Sequence, residues 1–238
     1  MTITTSRYIE LMKIVLTDFH KLGSIDPDVR RNGLDWPENA DTMIGLKRLE
    51  NIEYCVGQII KNNIAGDFIE TGVWRGGAVI FMQALLKDSG IASRNVWVAD
   101  SFEGLPRPNE EAYPLDQGDL HHTKNELSIS FDVVENNFKK YDLLDNNVKF
   151  LKGWFKDTLP SAPIEQLALL RLDGDMYEST IDALTSLYPK LTSGGYCIID
   201  DWGAVPGCRA AVEDYRKQHN ITDEIIKIDW AGVYWKKS

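Results

Sequence analysis

Acidic residues stand at the ends of four of the five β-strands that the sequence predicts. These strands end on Glu70, Asp100, Asp173 and Asp200, and Asp201 follows the last of them. In an open parallel sheet, ligands bind beyond the carboxyl ends of the strands, so these side chains are expected to converge on one crevice. Clustered carboxylates repel one another and lose hydration unless a cation or hydrogen-bond donors compensate. The pattern therefore predicts a bound group at this edge of the sheet.

The ligand atoms of these acids indicate which group could bind. Asp173-Gly174-Asp175 and Asp200-Asp201 bring carboxylate oxygens to adjacent strand ends, with no cysteine and no obvious histidine among them. All-oxygen sites suit hard cations such as Mg²⁺, which keep coordination positions for water or substrate. The competing interpretation is that the aspartates are cap and turn residues. Because they fall on neighbouring strand ends, we predict a divalent metal.

A glycine-rich turn follows the first predicted strand. It runs from Glu70 through Gly72 and Gly76 into a helix, whose free N–H groups could receive an anionic group. The alternative is a tight turn that needs glycine only for its backbone conformation. The spacing departs from the dinucleotide pattern G-x-G-x-x-G, which disfavours an NAD enzyme.

Two further features favour a nucleoside-like ligand in the same crevice. Asp100 ends the second strand, where an acid typically binds a ribose hydroxyl, although it could instead cap the turn at Ser101 and Phe102. Gly153-Trp154-Phe155 follows the third strand. An adenine could stack on this tryptophan, and a tryptophan packed in the core is the competing interpretation.

Parallel strands that alternate with helices are predicted to position these residues. Short apolar runs separated by helical periodicity are typical of strands joined by crossover helices. The predicted strands are 67–70, 96–100, 148–152, 167–173 and 196–200, and the predicted helices centre on 79–86, 134–141 and 184–191. Alternation over 226–230, followed by a turn before 233–235, predicts an antiparallel hairpin at the sheet edge. The sequence therefore predicts an α/β doubly wound sheet.

Two helices with apolar stripes over 8–19 and 49–60 are predicted ahead of the sheet. We interpret residues 1–64 as an N-terminal helical appendage and residues 65–238 as one compact unit. Residues 103–127, with three prolines and no clear period, are predicted to form a lid loop, called the lid segment below. Exposed apolar stripes on the N-terminal helices would favour a homo-oligomer.

Composition and charge exclude several classes of protein. The chain of 238 residues suits one large domain, and no apolar stretch approaches the ~18 residues of a membrane span. Twenty-six basic against 36 acidic residues give a net charge of −10, which disfavours nucleic acid as a partner. Three cysteines disfavour a disulfide framework. Residues 1–10 lack the pattern of a secretory signal, so we expect a cytoplasmic location.

Long consecutive blocks of the sequence resemble the macrocin O-methyltransferase family. These are Mg²⁺-dependent, S-adenosylmethionine-using enzymes that methylate sugar hydroxyls in macrolide and aminocoumarin antibiotics. The matching blocks are TMIG at 42–45 with Arg48, Leu49 and Asn51, then IETGVWRGG at 69–77, VADSFEGLP at 98–106, LDGDMYEST at 172–180 and DDW at 200–202. The resemblance is weakest over residues 107–126, within the lid segment.

The resemblance implies a Rossmann-like class I methyltransferase fold, a mostly parallel seven-stranded sheet with helices on both faces and an antiparallel last strand. It implies that residues 42 and 43 of the appendage cover S-adenosylmethionine, that Asp100 binds the ribose, and that residues 153–154 lie beside the adenine. It further implies Mg²⁺ on Asp173, Asp200 and Asp201. The cofactor-binding residues implied are Thr42, Met43, Glu70, Thr71, Gly72, Arg75, Gly76, Asp100, Ser101, Phe102, Gly153, Trp154 and Asp173.

The expected reaction is methyl transfer to a sugar-containing small molecule, either a glycoside or a nucleotide-linked sugar. Mg²⁺ beside two hydroxyl groups would lower their pKa and orient one oxygen toward the methyl group. A carboxylate must accept the proton, and Asp175 is the first candidate, with Asp173 as the alternative. His121 and His122 could contact the acceptor or act as the base. Competing functions are methylation of a non-sugar diol or catechol-like acceptor, a nucleotide-binding oxidoreductase and a noncatalytic interaction domain.

Overall fold

A seven-stranded sheet forms the centre of the computed structural model, which describes residues 6–238. The strands are β1 (Asp67–Thr71), β2 (Val96–Asp100), β3 (Val148–Lys152), β4 (Leu167–Leu172), β5 (Leu191–Ile199), β6 (Ile226–Lys227) and β7 (Val233–Lys236). Their order is β3-β2-β1-β4-β5-β7-β6, with β1 to β5 parallel and β7 antiparallel to β5 and β6. This order confirms the predicted class I methyltransferase fold. The chain reverses direction across the sheet between β1 and β4, which opens a crevice beyond their ends.

Helices cover both faces of this sheet. They are α1 (Arg7–Leu16), α2 (Pro27–Arg31), α3 (Leu46–Lys61), α4 (Gly77–Asp88), α5 (Phe131–Lys140), α6 (Phe155–Thr158), α7 (Tyr177–Leu187) and α8 (Pro206–Gln218). Helix α8 was not predicted, although the sequence contains signals for it. Pro206 lies in its first turn, and its buried residues recur at helical spacing: Cys208, Ala211, Val212 and Tyr215. Among the described residues, no helix combines the length and apolar character needed to cross a bilayer.

Alternate residues of the strands build two apolar layers, one on each face of the sheet. Phe68 and Val98 join the layer beneath α1, α3 and α4, whereas Ile69 and Trp97 join the layer beneath α7 and α8. This division follows from the two-residue period of strand side chains. Because both layers are buried, the strands are fixed in register, and so are the acids that end them.

The N-terminal helices are part of the main core. Ile9, Met12 and Leu16 of α1 and Ile52 of α3 are buried in the same apolar layer as α4. Most of their apolar stripes are therefore covered within the chain, while Tyr8 and Leu11 of α1 stay exposed. The homo-oligomer stays a prediction. Residues 1–5 of the predicted appendage lie outside the described residues.

The lid segment contains three short 3₁₀ turns, Pro114–Asp116, His121–Thr123 and Asn125–Leu127. Most of its side chains are exposed, but Asp116 is buried and bonded to the body of the protein. Its role as a lid stays a prediction.

Candidate active site

A cavity of about 330 Å³ lies beyond the carboxyl ends of β1, β2, β4 and β5. This volume is within the range of small-molecule sites, ~300–1,000 Å³. The predicted site residues in its wall are Thr42, Met43, Glu70, Gly72, Asp100, Ser101, Trp154, Asp173, Asp175, Asp200 and Asp201, together with His121 of the lid segment. The topology thus brings together most of the residues that the sequence singled out.

Five predicted cofactor residues are not part of this wall: Thr71, Arg75, Gly76, Phe102 and Gly153. Arg75 donates to the carbonyl oxygens of Glu38 and Ala40 at 2.8 and 2.9 Å. It therefore holds the segment that leads into Thr42, one of the wall residues. Direct contact of these five residues with a cofactor stays a prediction.

The glycine-rich turn is shaped mainly by its protein neighbours. Gly72 has a φ of +78°, and a Cβ atom there would lie 1.7 Å from the carbonyl oxygen of Asp173. Only glycine allows this approach between the turn after β1 and the loop after β4. The N–H of Gly77, at the start of α4, donates to the carbonyl oxygen of Asp41 at 2.8 Å. The expectation that the N–H groups of this helix end are free is therefore wrong at Gly77.

Asp100 organises the same turn. Its carboxylate accepts hydrogen bonds from the backbone N–H groups of Val73 at 2.8 Å and Phe102 at 2.7 Å. Burial raises the pKa of this carboxyl, and the backbone hydrogen bonds oppose the shift. Its turn-capping role is thus present in the structure. A carboxylate has further lone pairs, so this role is compatible with a ribose hydroxyl on the cavity side.

Two buried arginines neutralise the acids at the inner end of the cavity. Arg171, near the carboxyl end of β4, contacts Glu70 and Asp200 and donates to Asp173 at 2.9 Å. Arg48 of α3 contacts Asp200 and donates to Asp229 at 2.8 Å. Sequence reasoning gave neither arginine a role in the site. For Arg171, a lone cation inside the apolar run of β4 was a usable signal, since unpaired charges are almost never fully buried.

The acids nearer the cavity are less compensated. Oxygen atoms of Asp173, Asp175 and Asp201, called the acidic triad here, lie within 4.8 Å of one another. Burial, reinforced by neighbouring acids, raises the pKa of Asp173 to about 7 and shifts that of Asp201 well above its ordinary value. Burial also raises the pKa of Asp175 to about 6. Three neighbouring carboxyl groups with raised pKa values are costly to ionise at the same time unless a cation is present. Their oxygen atoms form a donor set that fits a hard divalent cation.

The predicted ligand Asp200 is placed differently from the acidic triad. Its two carboxylate oxygens face Arg171 and Arg48, whereas Asp175, predicted as the base, lies with Asp173 and Asp201. The N–H of Asp175 also donates to Asp201 at 3.1 Å. Two of the three predicted ligands are therefore together, and the assignment of the third between Asp175 and Asp200 stays open to experiment.

The lid segment contributes a histidine to the cavity wall. The Nδ1 atom of His121 lies 2.8 Å from a carboxylate oxygen of Asp119, and the backbone N–H of His121 donates to the other oxygen at 2.8 Å. The aspartate fixes the imidazole orientation, a pairing that the sequence analysis did not anticipate. The Nδ1 atom of His122 is buried without a hydrogen-bond partner among the described residues. His121, which lines the cavity, is therefore better placed than His122 to contact an acceptor.

Comparisons with known proteins agree with this architecture. A family model described as Macrocin-O-methyltransferase (TylF) matches residues 6–237. Demethyldecarbamoylnovobiocin O-methyltransferase of Streptomyces niveus is 53% identical over 220 residues, which cover 92% of this chain and 84% of that protein. Mycinamicin III 3''-O-methyltransferase of Micromonospora griseorubida is 46% identical over 245 residues, covering 97% of this chain and 96% of that protein.

Solved structures give the same result. The O-methyltransferase NovP is 51% identical, with a TM-score of 0.94 over 97% of this chain and 98% of that chain. The calicheamicin methyltransferase CalS11 is 17% identical, with a TM-score of 0.66 over 98% of this chain and 94% of that chain, and shows the shared fold alone. The resemblance read from the sequence is confirmed: the chain is an O-methyltransferase and belongs to the macrocin O-methyltransferase family.

Proposed function

We propose that this enzyme transfers a methyl group from S-adenosylmethionine to a sugar hydroxyl of a glycoside, with Mg²⁺ bound at the acidic triad. The observation that carries the proposal is the position of the triad, in the wall of a cavity that also contains Gly72 and Asp100. In this fold, a nucleoside cofactor binds above the first two strands, and the triad lies beside that place, beyond β4 and β5. Donor and acceptor would thus meet at the carboxylates.

The residues around the cavity suit the cofactor. Asp100 would bind the ribose hydroxyls, and Trp154 would lie beside the adenine. Thr42 and Met43 would close over the cofactor from the segment that Arg75 holds in place. Each of these side chains except Arg75 faces the cavity, which supports a ligand that spans β1 to β3.

The chemistry depends on proton removal from a weakly acidic hydroxyl. When bound, S-adenosylmethionine supplies an electrophilic methyl group, and Mg²⁺ supplies positive charge that lowers the pKa of neighbouring hydroxyl groups. Asp173 and Asp201 would hold the cation, with either Asp200 or Asp175 as the third acid. Asp175, if it is not a ligand, would accept the hydroxyl proton, and Asp173 is the alternative base. Arg171 holds Asp173 in position for either role.

The charge of the cavity favours a glycoside over a nucleotide-linked sugar. Nine acids line the cavity but only two lysine or arginine residues do, Arg48 and Lys156. Arg48 is already bonded to two aspartates, and Lys156 lies 3.7 Å from Glu178. A diphosphate would therefore enter a predominantly negative field, in which Lys156, exposed and only loosely paired, is the one lysine or arginine of the described wall that is not held between aspartates.

Apolar side chains around the cavity supply a surface for an aglycone. Trp36 is 51% exposed and Trp230 is 44% exposed, and both belong to the wall. Leu120 of the lid segment is 63% exposed and precedes His121. Exposed aromatic and aliphatic groups beside a polar pocket suit an acceptor with a sugar and an apolar ring system. The names of the two relatives described above give demethyldecarbamoylnovobiocin and mycinamicin III as the molecules that they methylate.

Calorimetry with S-adenosylhomocysteine, with and without Mg²⁺, tests the cofactor assignment. We expect S-adenosylhomocysteine to bind in both conditions and NAD to give no heat of binding. Binding of NAD in place of S-adenosylhomocysteine would instead support an oxidoreductase.

Methyl transfer from labelled S-adenosylmethionine to a panel of macrolide and aryl glycosides tests the acceptor. We expect label in a sugar methyl ether, with activity lost in EDTA and restored by Mg²⁺. Transfer to simple catechols but to no glycoside would contradict the proposed acceptor class.

A further inference from the structure

Helix α7 begins without a cap from its own neighbourhood. Its N-cap residue, Met176, makes no side-chain hydrogen bond to the helix. The first two N–H groups of the helix, those of Tyr177 and Glu178, donate to the carboxylate of Asp116 at 2.6 and 3.0 Å. The first N–H groups of a helix need an outside acceptor, and an aspartate is among the preferred ones. The lid segment thus supplies the cap of α7 from 61 residues earlier in the chain.

Asp116 fits closely between two helices. The residue is 3% exposed. A Cβ atom at Gly207, in the first turn of α8, would lie 2.8 Å from Oδ1 of Asp116, so the glycine leaves room for the carboxylate. Beside it, the rings of Tyr113 and Tyr177 lie with centroids 5.8 Å apart. The lid segment is therefore attached to the body at a defined point.

The helix end that Asp116 caps directly follows the loop that carries Asp175 of the acidic triad. Asp175 is separated from the first residue of α7 only by Met176, whose N–H donates to the carbonyl oxygen of Gly174 at 2.6 Å. Asp175 has a φ of +56°, a left-handed conformation that is uncommon outside glycine and needs support from its surroundings. A shift of the first turn of α7 would move this residue and its contact with Asp201.

We propose that Asp116 is a positioning residue that couples closure of the lid segment to the geometry of the acidic triad. With the lid closed, Asp116 caps α7 and holds the loop of residues 173–176. With the lid open, the first N–H groups of α7 lose their acceptor and the loop gains freedom. The lid would then assemble the reaction centre as well as cover it, so that methyl transfer is confined to the closed state. The role of the triad in this inference rests on the proposed function.

Two variants test the coupling in different ways. Asp116→Asn keeps the size of the side chain but replaces one accepting oxygen by an amide donor. Gly207→Ala presses on both sides of the cap, on the carboxylate of Asp116 at 2.8 Å and on the backbone nitrogen of Tyr177 at 3.1 Å, without changing any acid. Glu111→Gln is the matched control, because it removes the same charge from an exposed position of the lid segment.

Hydrogen exchange of the full chain without substrate, Mn²⁺ binding and steady-state kinetics are the measurements. We expect faster exchange in peptides covering both 103–127 and 173–187 in the two variants, with other peptides unchanged. Mn²⁺ affinity and kcat should each fall about tenfold, the factor that corresponds to the loss of a helix cap, while S-adenosylhomocysteine affinity is retained. The control should match the wild type.

Two outcomes would overturn the proposal. Faster exchange in 103–127 alone, with unchanged Mn²⁺ affinity, would mean that Asp116 only attaches the lid. Equal acceleration in all peptides would mean that it contributes only general stability. Exchange and Mn²⁺ binding do not require turnover, so a wild-type enzyme without methyl transfer would refute the proposed function and leave the coupling measurable.

Discussion

The carboxylates of the site fall into two groups with different compensation. Glu70 and Asp200 are buried against Arg171, which gives them a permanent partner inside the protein. The acidic triad lies closer to the cavity and has raised pKa values because burial and mutual repulsion disfavour its charged form. Burial also raises the pKa of Glu70, to about 8, and Asp173 shares Arg171 with the first group, so geometry rather than pKa distinguishes the triad. Its oxygen atoms lie within 4.8 Å of one another, an arrangement that would suit an exchangeable cation.

Replacing Asp201 by asparagine removes one anionic oxygen from the triad. We expect Asp201→Asn to lower kcat/KM by about 100-fold or more, because several kcal/mol of charge stabilisation would be lost with the cation. S-adenosylhomocysteine binding should be retained, as measured by calorimetry. Asp132→Asn, at an exposed position of α5, is the control. Full activity of Asp201→Asn in the presence of chelator would exclude the metal.

The raised pKa values predict how Mg²⁺ affinity depends on pH. At pH 6 the metal-free triad retains protons, since the pKa of Asp173 is about 7 and that of Asp175 about 6. Those protons must leave when the cation binds, so affinity should increase with pH, by roughly tenfold between pH 6 and 8. Calorimetry in buffers of different ionisation enthalpy would measure the protons released. Affinity that does not change over this range would show that the triad is already ionised.

At the scale of elements, the turn after β1 contacts the loop after β4. This contact brings together the proposed cofactor side and the proposed metal side of the cavity. Gly72 makes this contact, since its Cα faces the carbonyl oxygen of Asp173. Each strand end is fixed by the apolar layers on both sides of the sheet, so neither loop has room to retreat. The small size of one residue therefore sets the distance between the two halves of the site.

Gly72→Ala tests the closeness of this contact. The added Cβ atom would lie 1.7 Å from a backbone oxygen, so the free energy of unfolding should fall by roughly 4 kcal/mol in denaturant titrations. Gly90→Ala is the matched control, because Gly90 also has a positive φ, +67°, but its Cβ would meet nothing within 4 Å. It should lose only ~1 kcal/mol. Equal losses in the two variants would show that backbone conformation, rather than the close approach, requires Gly72.

The whole molecule adds a long-range preference to the chemistry of its site. A net charge of −10 and a cavity wall rich in acids repel anionic acceptors. We therefore expect the charge that would suit a divalent cation to select against phosphorylated sugars. Salt weakens any discrimination among acceptors that arises from the electrostatic field of the protein. It does not weaken discrimination that arises from contact with an apolar aglycone.

Three acceptors with the same sugar would separate these effects: an apolar glycoside, a methyl glycoside and a nucleoside diphosphate sugar. We expect kcat/KM for the apolar glycoside to exceed that for the nucleotide sugar by about 100-fold at low ionic strength, and the ratio to narrow at high salt because of screening. The methyl glycoside lacks both charge and aglycone, so its rate should depend little on salt. A nucleotide sugar used faster than the apolar glycoside would contradict the assigned acceptor class.

The sequence by itself determined the fold and most of the cavity wall. Alternating apolar runs and helical periods located the five parallel strands, because burial on both faces makes those runs continuous. The acids and glycines that end the strands then had to meet at one edge, which placed Glu70, Asp100, Asp173 and Asp201 around the same cavity. Local sequence pattern is enough to predict the place of a residue when that place follows from the strand or helix to which the residue belongs.

Only the tertiary structure decided how those acids are paired. Arg48 and Asp200 are 152 positions apart, and Asp116 and Tyr177 are 61 apart, so no local spacing relates them. The arginines turn Asp200 toward the inner end of the cavity, and the path of the lid segment places Asp116 at the start of α7. Hydrogen bonds and ion pairs act over a few ångströms in space, whatever the separation of the two residues along the chain. Charge pairs and helix caps between distant segments therefore depend on how the packed elements approach each other.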